Sequence, residues 1–353
     1  MAQKDQTLDI RRSLAPGTPL RNAIELILRQ ETGALVVLGY GRDVESICTG
    51  GFHLDGADFG PARLAELAKM DGAVITDEAA EVIYRANVHL IPDPSIATNE
   101  TGTRHRTAER VAIQTGRPVV VVSQGRQTVT VFVGRYQFEL RSPTALLAQA
   151  NQNLLTLERF RRRLTDDEDR LTQLEVADIA VNRDVVQFLQ RAALIRRIGS
   201  DLENYAVELG GEGELIRLQL LDLLAGVGEA ATLVYADYSR RYPPKTQQPL
   251  DLIDTLTTEL LSDGSRVAAL LDLGPQESPV RPRGYRMLDR IPRLPDAVKV
   301  SLVGHFKNLQ QLLAATVADL DQVEGVGRTR ARQLRRFFDR LLDSSRGWEV
   351  EED

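Results

Sequence analysis

At 353 residues the chain is longer than one hydrophobic core usually serves, which favours two or three domains. Hydrophobic residues make up 42% and charged residues 27%, a globular composition that excludes disorder, and no apolar run reads as long enough to span a bilayer. The net charge of −6 hides an asymmetry: residues 281–340 hold 13 Lys/Arg against 6 Asp/Glu, a local balance of +7 on an acidic body.

In chain order, the first residues, MAQKDQTLDIRRSL, carry charges where a signal peptide needs an apolar stretch, so a cytoplasmic protein with no membrane partner is expected. Leu20, Ile24, Ile27 and Leu28 share one helical face over Pro19–Gln30, and Ala34–Leu38 reads as a buried strand. Cys48 is the sole cysteine, which leaves no disulfide framework or Cys-based zinc site, and it reads as a buried apolar thiol. A helix over Pro61–Met70, a strand over Gly72–Thr76 and strand-like runs at Glu81–Tyr84 and Val88–Ile91 follow. Next come a helix from Arg104 to Thr115 stopped by Gly116, then strands Pro118–Ser123 and Val129–Val133. This is an α/β domain over 1–141, and some links are too short for helical crossovers, so the sheet is expected to be mixed. Residues 142–284 read as an all-α spine, with Leu154, Leu157, Phe160 and Leu164 at helical spacing, ending in a Pro/Gly-rich linker over Asp272–Gly284. An all-α module over 285–348 and an acidic tail, 349–353, complete the chain.

That module contains an internal repeat. Ile291–Phe306 aligns without gaps on Val323–Phe338, with apolar residues coinciding at Ile291/Val323, Leu294/Val326, Leu302/Leu334 and Phe306/Phe338, as paired helical hairpins sharing one core require. In the second copy Gly325-Val326-Gly327 precedes a basic helix. Its glycines permit a tight turn and close approach, the helix N-terminus offers N–H groups to a phosphate, and Arg328, Arg330 and Arg332 add charge. The first copy has Arg293 and Pro295 in the glycine positions. Gly226-Val227-Gly228 has the same letters without flanking arginines or a repeat partner, and reads as a turn between helices.

The second constellation is N-terminal. Asp71-Gly72-Ala73 places a carboxylate just before a buried strand, and Gly102-Thr103 leads into a helix whose first turn holds Arg104, His105 and Arg106. A glycine turn, hydroxyls, two arginines and a helix N-terminus are parts suited to a triphosphate, and Asp71 could hold a divalent cation. On the residues alone, Asp-Gly is also a common turn and an Arg-rich first turn is often plain surface, so both readings stand. No Walker motif and no Gly-x-Gly-x-x-Gly follows the first strand.

Asp71-Gly72-Ala73 followed by Gly102-Thr103-Arg104-His105-Arg106-Thr107 resembles the paired signature of diadenylate cyclase domains. The second repeat copy resembles the tandem helix-hairpin-helix module of DNA repair proteins, which grips backbone without reading sequence. Together with the spine they resemble the DNA integrity scanning family over nearly the whole chain. The resemblance implies an enzyme that condenses two ATP into cyclic di-AMP and two pyrophosphates, coupled to recognition of branched or damaged DNA near the nucleoid. It also implies an octamer with cyclase domains facing in pairs. Asp71 would bind Mg²⁺ or Mn²⁺ and activate the 3′-hydroxyl. Gly72, Ala73, Leu90, Thr103, Arg104, His105, Arg106, Thr107, Ser123 and Gln124 would bind ATP. Gly325, Val326, Gly327, Arg328, Arg330 and Arg332 would bind DNA. The competing reading is a DNA-structure binder that only senses ATP.

Overall fold

A computed structural model describes residues 2–239 and 248–346. It divides into two compact units, one of residues 1–152 with 202–218, the other of 153–201 with 219–353.

The first unit opens with helices α1 (Ala2–Ser13) and α2 (Pro19–Arg29). Thr18 starts α2 by accepting the Arg21 N–H, and Pro19 fills the first position, where no N–H is needed. Then come β1 (Ala34–Leu38), α3 (Arg42–Glu45), β2 (Cys48–Thr49), β3 (Phe52–Asp58), α4 (Pro61–Leu67), β4 (Ala73–Thr76) and β5 (Val82–Leu90). The helix α5 (Thr103–Thr115) and strands β6 (Val119–Ser123), β7 (Thr128–Val133) and β8 (Tyr136–Glu139) follow. The sheet order is β2-β5-β4-β1-β6-β7-β8, with β3 also paired to β5. Only β1 and β4 run parallel, so the sheet is mixed, as expected. Val36, Val74, Val120 and Val122 pack with Ile24, Ile27 and Leu64 of α2 and α4 on one face. Leu35, Val37, Ile75, Val119 and Val121 pack with Ala108 and Val111 of α5 on the other. Burial on both faces is why β1 and β6 are unbroken aliphatic runs.

Three features differ from the sequence reading. The two apolar runs at Glu81–Tyr84 and Val88–Ile91 belong to one strand, β5, whose register against β4 shifts where Asn87 takes a left-handed φ of +54°. Strands β2, β3 and β8 were not anticipated, because their residues are mostly exposed or interrupted and carry no apolar period. Cys48 is half-buried rather than buried, and burial pushes its thiol up to about 11, which keeps it protonated and unreactive.

The rest of the chain is helical: α6 (Pro143–Val176), α7 (Asn182–Leu209), α8 (Glu214–Leu224), α9 (Val227–Tyr238), α10 (Pro249–Ile253), α11 (Thr258–Ser262) and α12 (Gly264–Leu270). Gly226 turns α8 into α9 at φ +74°, as its sequence context suggested. One correction concerns hydropathy: the stretch Asn182–Tyr238 contains an 18-residue window of mean hydropathy 1.3, apolar enough by composition to cross a bilayer. That stretch is broken into α7, α8 and α9, and the core helices of soluble proteins share the property.

The Pro/Gly-rich segment after α12 is strapped down rather than free. Asn182 and Arg183 donate backbone N–H groups to Ser278 and Gln276, Val280 donates to Ala180, and Arg281 forks onto Asp178. Beyond it lie α13 (Tyr285–Asp289), α14 (Asp296–Phe306), α15 (Leu309–Ala314), α16 (Val317–Asp321) and α17 (Arg328–Arg346). All eight coinciding apolar residues of the repeat sit in one core. The N-terminus of α13 is fixed by Asp237, whose carboxylate accepts the N–H groups of Gly284, Tyr285 and Arg286 at 2.8, 2.7 and 3.1 Å. Burial, and then the nearby Glu175, push Asp237 up to about 7. The buried Arg286 guanidinium pairs with Glu175, which also accepts the Tyr238 hydroxyl at 2.6 Å. We expect Arg286→Met to destabilise this unit by about 3–5 kcal/mol, since it strands two buried carboxyl groups without their cation. Urea unfolding measures it; a loss below about 1 kcal/mol would mean that the hydrogen bonds left to the cluster make up for the missing cation.

Candidate active site

A cleft of about 490 Å³ opens at one end of the sheet. Because β5 and β6 run antiparallel to β4 and β1, the starts of β1 and β4 meet the ends of β5 and β6 there. Leu35, Val88, Leu90 and Val121 supply an apolar wall, and the first turn of α5 closes the rim. Ten of the eleven residues predicted from sequence to act on a nucleotide line this one space: Asp71, Gly72, Ala73, Leu90, Thr103, Arg104, His105, Thr107, Ser123 and Gln124. Arg106 does not. It sits two positions after Arg104 on a helix, which turns it away, and its Nη2 donates to the Thr101 carbonyl at 3.2 Å.

Each part is held by a local cause. The irregular chain before α5 is pinned to that helix: Arg110 Nε donates to the Ile96 carbonyl at 3.0 Å, and Gln114 accepts the Asp93 N–H at 2.8 Å. Gly102 begins α5 with no side-chain cap and no acidic residue follows in the first turn, so the N–H donors and the positive end of the helix dipole are left for an anion. His105 stacks edge-on to Phe132 and its Nε2 lies 3.5 Å from Thr130 Oγ1, so it anchors the helix as well as lining the cleft. Asp71 stands just before β4 with its side chain 92% exposed and pairs with Arg104 Nη2. Gly72 is a glycine for a reason the sequence did not show. A Cβ there would lie 2.6 Å from Asn87 Cα and 2.7 Å from Asn87 Oδ1, so the bulge in β5 excludes any side chain.

Sequence reasoning missed His89 and Gly125, which also line the cleft. It also passed over a second Asp-Gly-Ala, Asp55-Gly56-Ala57, in β3. There Asp55 and Gly56 form an irregularity at φ +47° and +83°, and neither lines the cleft.

In the C-terminal hairpins, Gly325 turns the chain at φ +81° between α16 and α17. At the aligned position of the first hairpin Arg293 takes φ +60°, so that turn keeps its backbone shape despite the missing glycine. Pro295 there has no N–H to offer. Of the residues predicted to contact DNA, Val326 is buried in the core and only its backbone is available. Arg330 Nη1 donates to the Gly325 carbonyl and so braces the turn. Arg328 is 84% exposed, and Arg332 lines a groove along α17 with Arg336 and Arg340, two arginines not singled out from sequence. Their spacing of four along a basic helix was the available signal.

Two family models match the chain. Residues 21–136 match the model of the DisA bacterial checkpoint controller nucleotide-binding domain, and residues 140–279 match that of the DisA bacterial checkpoint controller linker region. A DNA integrity scanning protein DisA from Acidothermus cellulolyticus is 49% identical over 94% of this chain and 92% of its own length. Another from Kineococcus radiotolerans is 47% identical over 96% of this chain and 95% of its own. With a nucleotide-binding model over the domain that forms the cleft, and identity of this order along almost the whole length, the chain belongs to the DNA integrity scanning protein family.

Proposed function

We propose that the chain is a diadenylate cyclase that condenses two ATP into cyclic di-AMP and two pyrophosphates, and that its C-terminal hairpins couple this activity to DNA structure. The observation that carries the reading is the convergence of Asp71 and the uncapped N-terminus of α5 on one cleft. In this reading the triphosphate lies against the first turn of α5, where Thr103 and Thr107 offer hydroxyls and Arg104 a guanidinium, and the adenine lies against Leu90. The 3′-hydroxyl is placed by Asp71 toward the α-phosphate of a second ATP. Positioning and charge stabilisation supply most of the rate in such transfers.

Mg²⁺ or Mn²⁺ fits this donor set. Among the described residues no three His, Cys, Asp or Glu side chains cluster as a metal cage. A single carboxylate beside a triphosphate is the arrangement in which Mg²⁺ is usually held, with phosphate oxygens and water completing its shell. Asp71 is the residue that would hold it, and the bound ion would offset the charge on the phosphates. A protein that only sensed ATP would have no need of a carboxylate by the sugar. Incubation with ATP and Mn²⁺ followed by chromatography tests the reading: a cyclic dinucleotide supports it, and unchanged ATP sinks it in favour of the sensor. Repeating the assay with saturating four-way junction DNA tests the coupling, and equal turnover with and without the junction would remove it.

The hairpins supply a sharper expectation. Gly325 is favoured by the turn itself, through its φ of +81° and the 3.1 Å approach a Cβ would make to Val298 Cγ2. A Cβ at Gly327 would meet nothing within 4 Å, so the fold does not require this glycine. A phosphate approaching the N-terminus of α17 would. Gly327→Val should therefore cost only about 1 kcal/mol, the loss of a favourable N-cap, leave ATP turnover unchanged and weaken duplex binding at least about tenfold. Binding should also weaken steeply with salt. Unchanged affinity in fluorescence anisotropy would place the DNA contact elsewhere.

A further inference from the structure

We infer that Gly33, which no motif singles out, is a positioning residue for Arg104: the lack of a side chain there leaves the room in which the guanidinium stands over the cleft beside Asp71. The inference rests on the nucleotide-site reading of the cleft and deepens it.

Gly33 immediately precedes β1, at the end of the sheet where the cleft opens. Its backbone is not in the left-handed region, so conformational freedom does not explain the glycine. The space around it does. A Cβ at Gly33 would fall on the Arg104 guanidinium, 3.1 Å from Cζ and closer still to Nη1, and 3.2 Å from the Val122 carbonyl. The guanidinium therefore lies across the start of β1, in room that only a hydrogen leaves free. From there its Nη2 reaches Asp71 at the start of β4. Arg104 thus spans the floor of the cleft between two neighbouring parallel strands, one end over Gly33 and the other on the carboxylate.

Two consequences follow for the chemistry. Arg104 is anchored by its position on the first turn of α5, but its long side chain has many rotamers, and holding a charge in one place reduces the entropy lost when a phosphate binds. A methyl group at Gly33 would push the guanidinium outward, off Asp71 and away from the strand. The 3.2 Å approach to the Val122 carbonyl is a milder squeeze that a few tenths of an ångström relieve. The dominant effect of a substituent is therefore on Arg104 and not on the backbone.

The test is a double-mutant cycle on the full chain, read as affinity for α,β-methylene-ATP by calorimetry, with thermal unfolding followed in parallel. Gly33→Ala should weaken binding about tenfold, the scale of one charge-assisted hydrogen bond. Arg104→Ala should weaken it at least as much. The double variant should bind like Arg104→Ala alone, because the methyl group then has nothing to displace. If Arg104→Ala binds as tightly as the parent, the nucleotide-site reading itself falls. If Arg104→Ala is weak while Gly33→Ala is unaffected, Gly33 does not position Arg104 and the inference is overturned. It is equally overturned if Gly33→Ala costs the same factor in both backgrounds, since its effect then runs through the backbone. Should Gly33→Ala fail to fold, the double variant decides: a folded protein assigns the conflict to the guanidinium, and an unfolded one assigns it to the strand.

Discussion

Asp71→Asn should abolish formation of the cyclic dinucleotide, by at least about a thousandfold, while the protein keeps its thermal midpoint. The stability half of this expectation comes from exposure. With 92% of its side chain in solvent, Asp71 supports no core, and an ion pair as open as the one it makes with Arg104 contributes little to folding. The activity half comes from charge. Asparagine keeps the shape of aspartate but can neither accept a proton from a hydroxyl nor hold a divalent cation with a full negative charge. The variant leaves the room over Gly33 in which the Arg104 guanidinium stands, so affinity for ATP without metal should persist even as turnover disappears. A binding assay beside the activity assay separates these effects. Near-normal turnover would show that the carboxylate is not part of the chemistry and would favour the ATP-sensing reading. Loss of binding together with turnover would make Asp71 a folding element, against its exposure.

The parts of this site that sequence revealed are those whose chemistry is local. Asp71 and the run Thr103–Thr107 are short local strings; on the residues alone they left a nucleotide site and a plain surface turn both open, and the family resemblance favoured the first. The mixed sheet could be inferred from connection length. What could not be read was anything set by a distant neighbour. Gly72 is a glycine because of Asn87, fifteen positions on, and the bulge that puts Asn87 there has no apolar period to betray it. Gly33 depends on Arg104, seventy-one positions away. Arg106 stands in the same motif as Arg104 yet leaves the cleft, because helical rotation and not adjacency decides which side chains face a ligand. In the first hairpin the reverse holds: Arg293 hides a turn whose backbone matches that of Gly325.

Dilution of the full chain should lower its specific activity once protomers separate, while each chain goes on binding the non-reactive ATP analogue. The expectation follows from counting reacting groups. Cyclic di-AMP needs two phosphodiester bonds, each joining the 3′-hydroxyl of one ATP to the α-phosphate of the other. Among the described residues one cleft gathers Asp71 with the first turn of α5, and the second Asp-Gly-Ala, at Asp55, lies outside it. On the proposed reading, a space of about 490 Å³ with one uncapped helix N-terminus takes one nucleotide, not two in mutual attack. For a cyclase of this kind the second nucleotide and its carboxylate would then come from another copy. A two-fold axis between facing clefts presents both ATP molecules equivalently, so one interface serves both bond-forming steps. The full chain is the proper subject for this measurement, because a fragment cut at residue 141 would lose the contacts of Arg11 with Glu208 and of Arg141 with the Tyr205 ring. Activity per chain, followed against concentration with sedimentation at each point, should fall in step with the loss of the assembled species. Constant activity per chain down to concentrations where only monomer sediments would mean that one subunit holds both ATP molecules, and the facing arrangement would have to be given up.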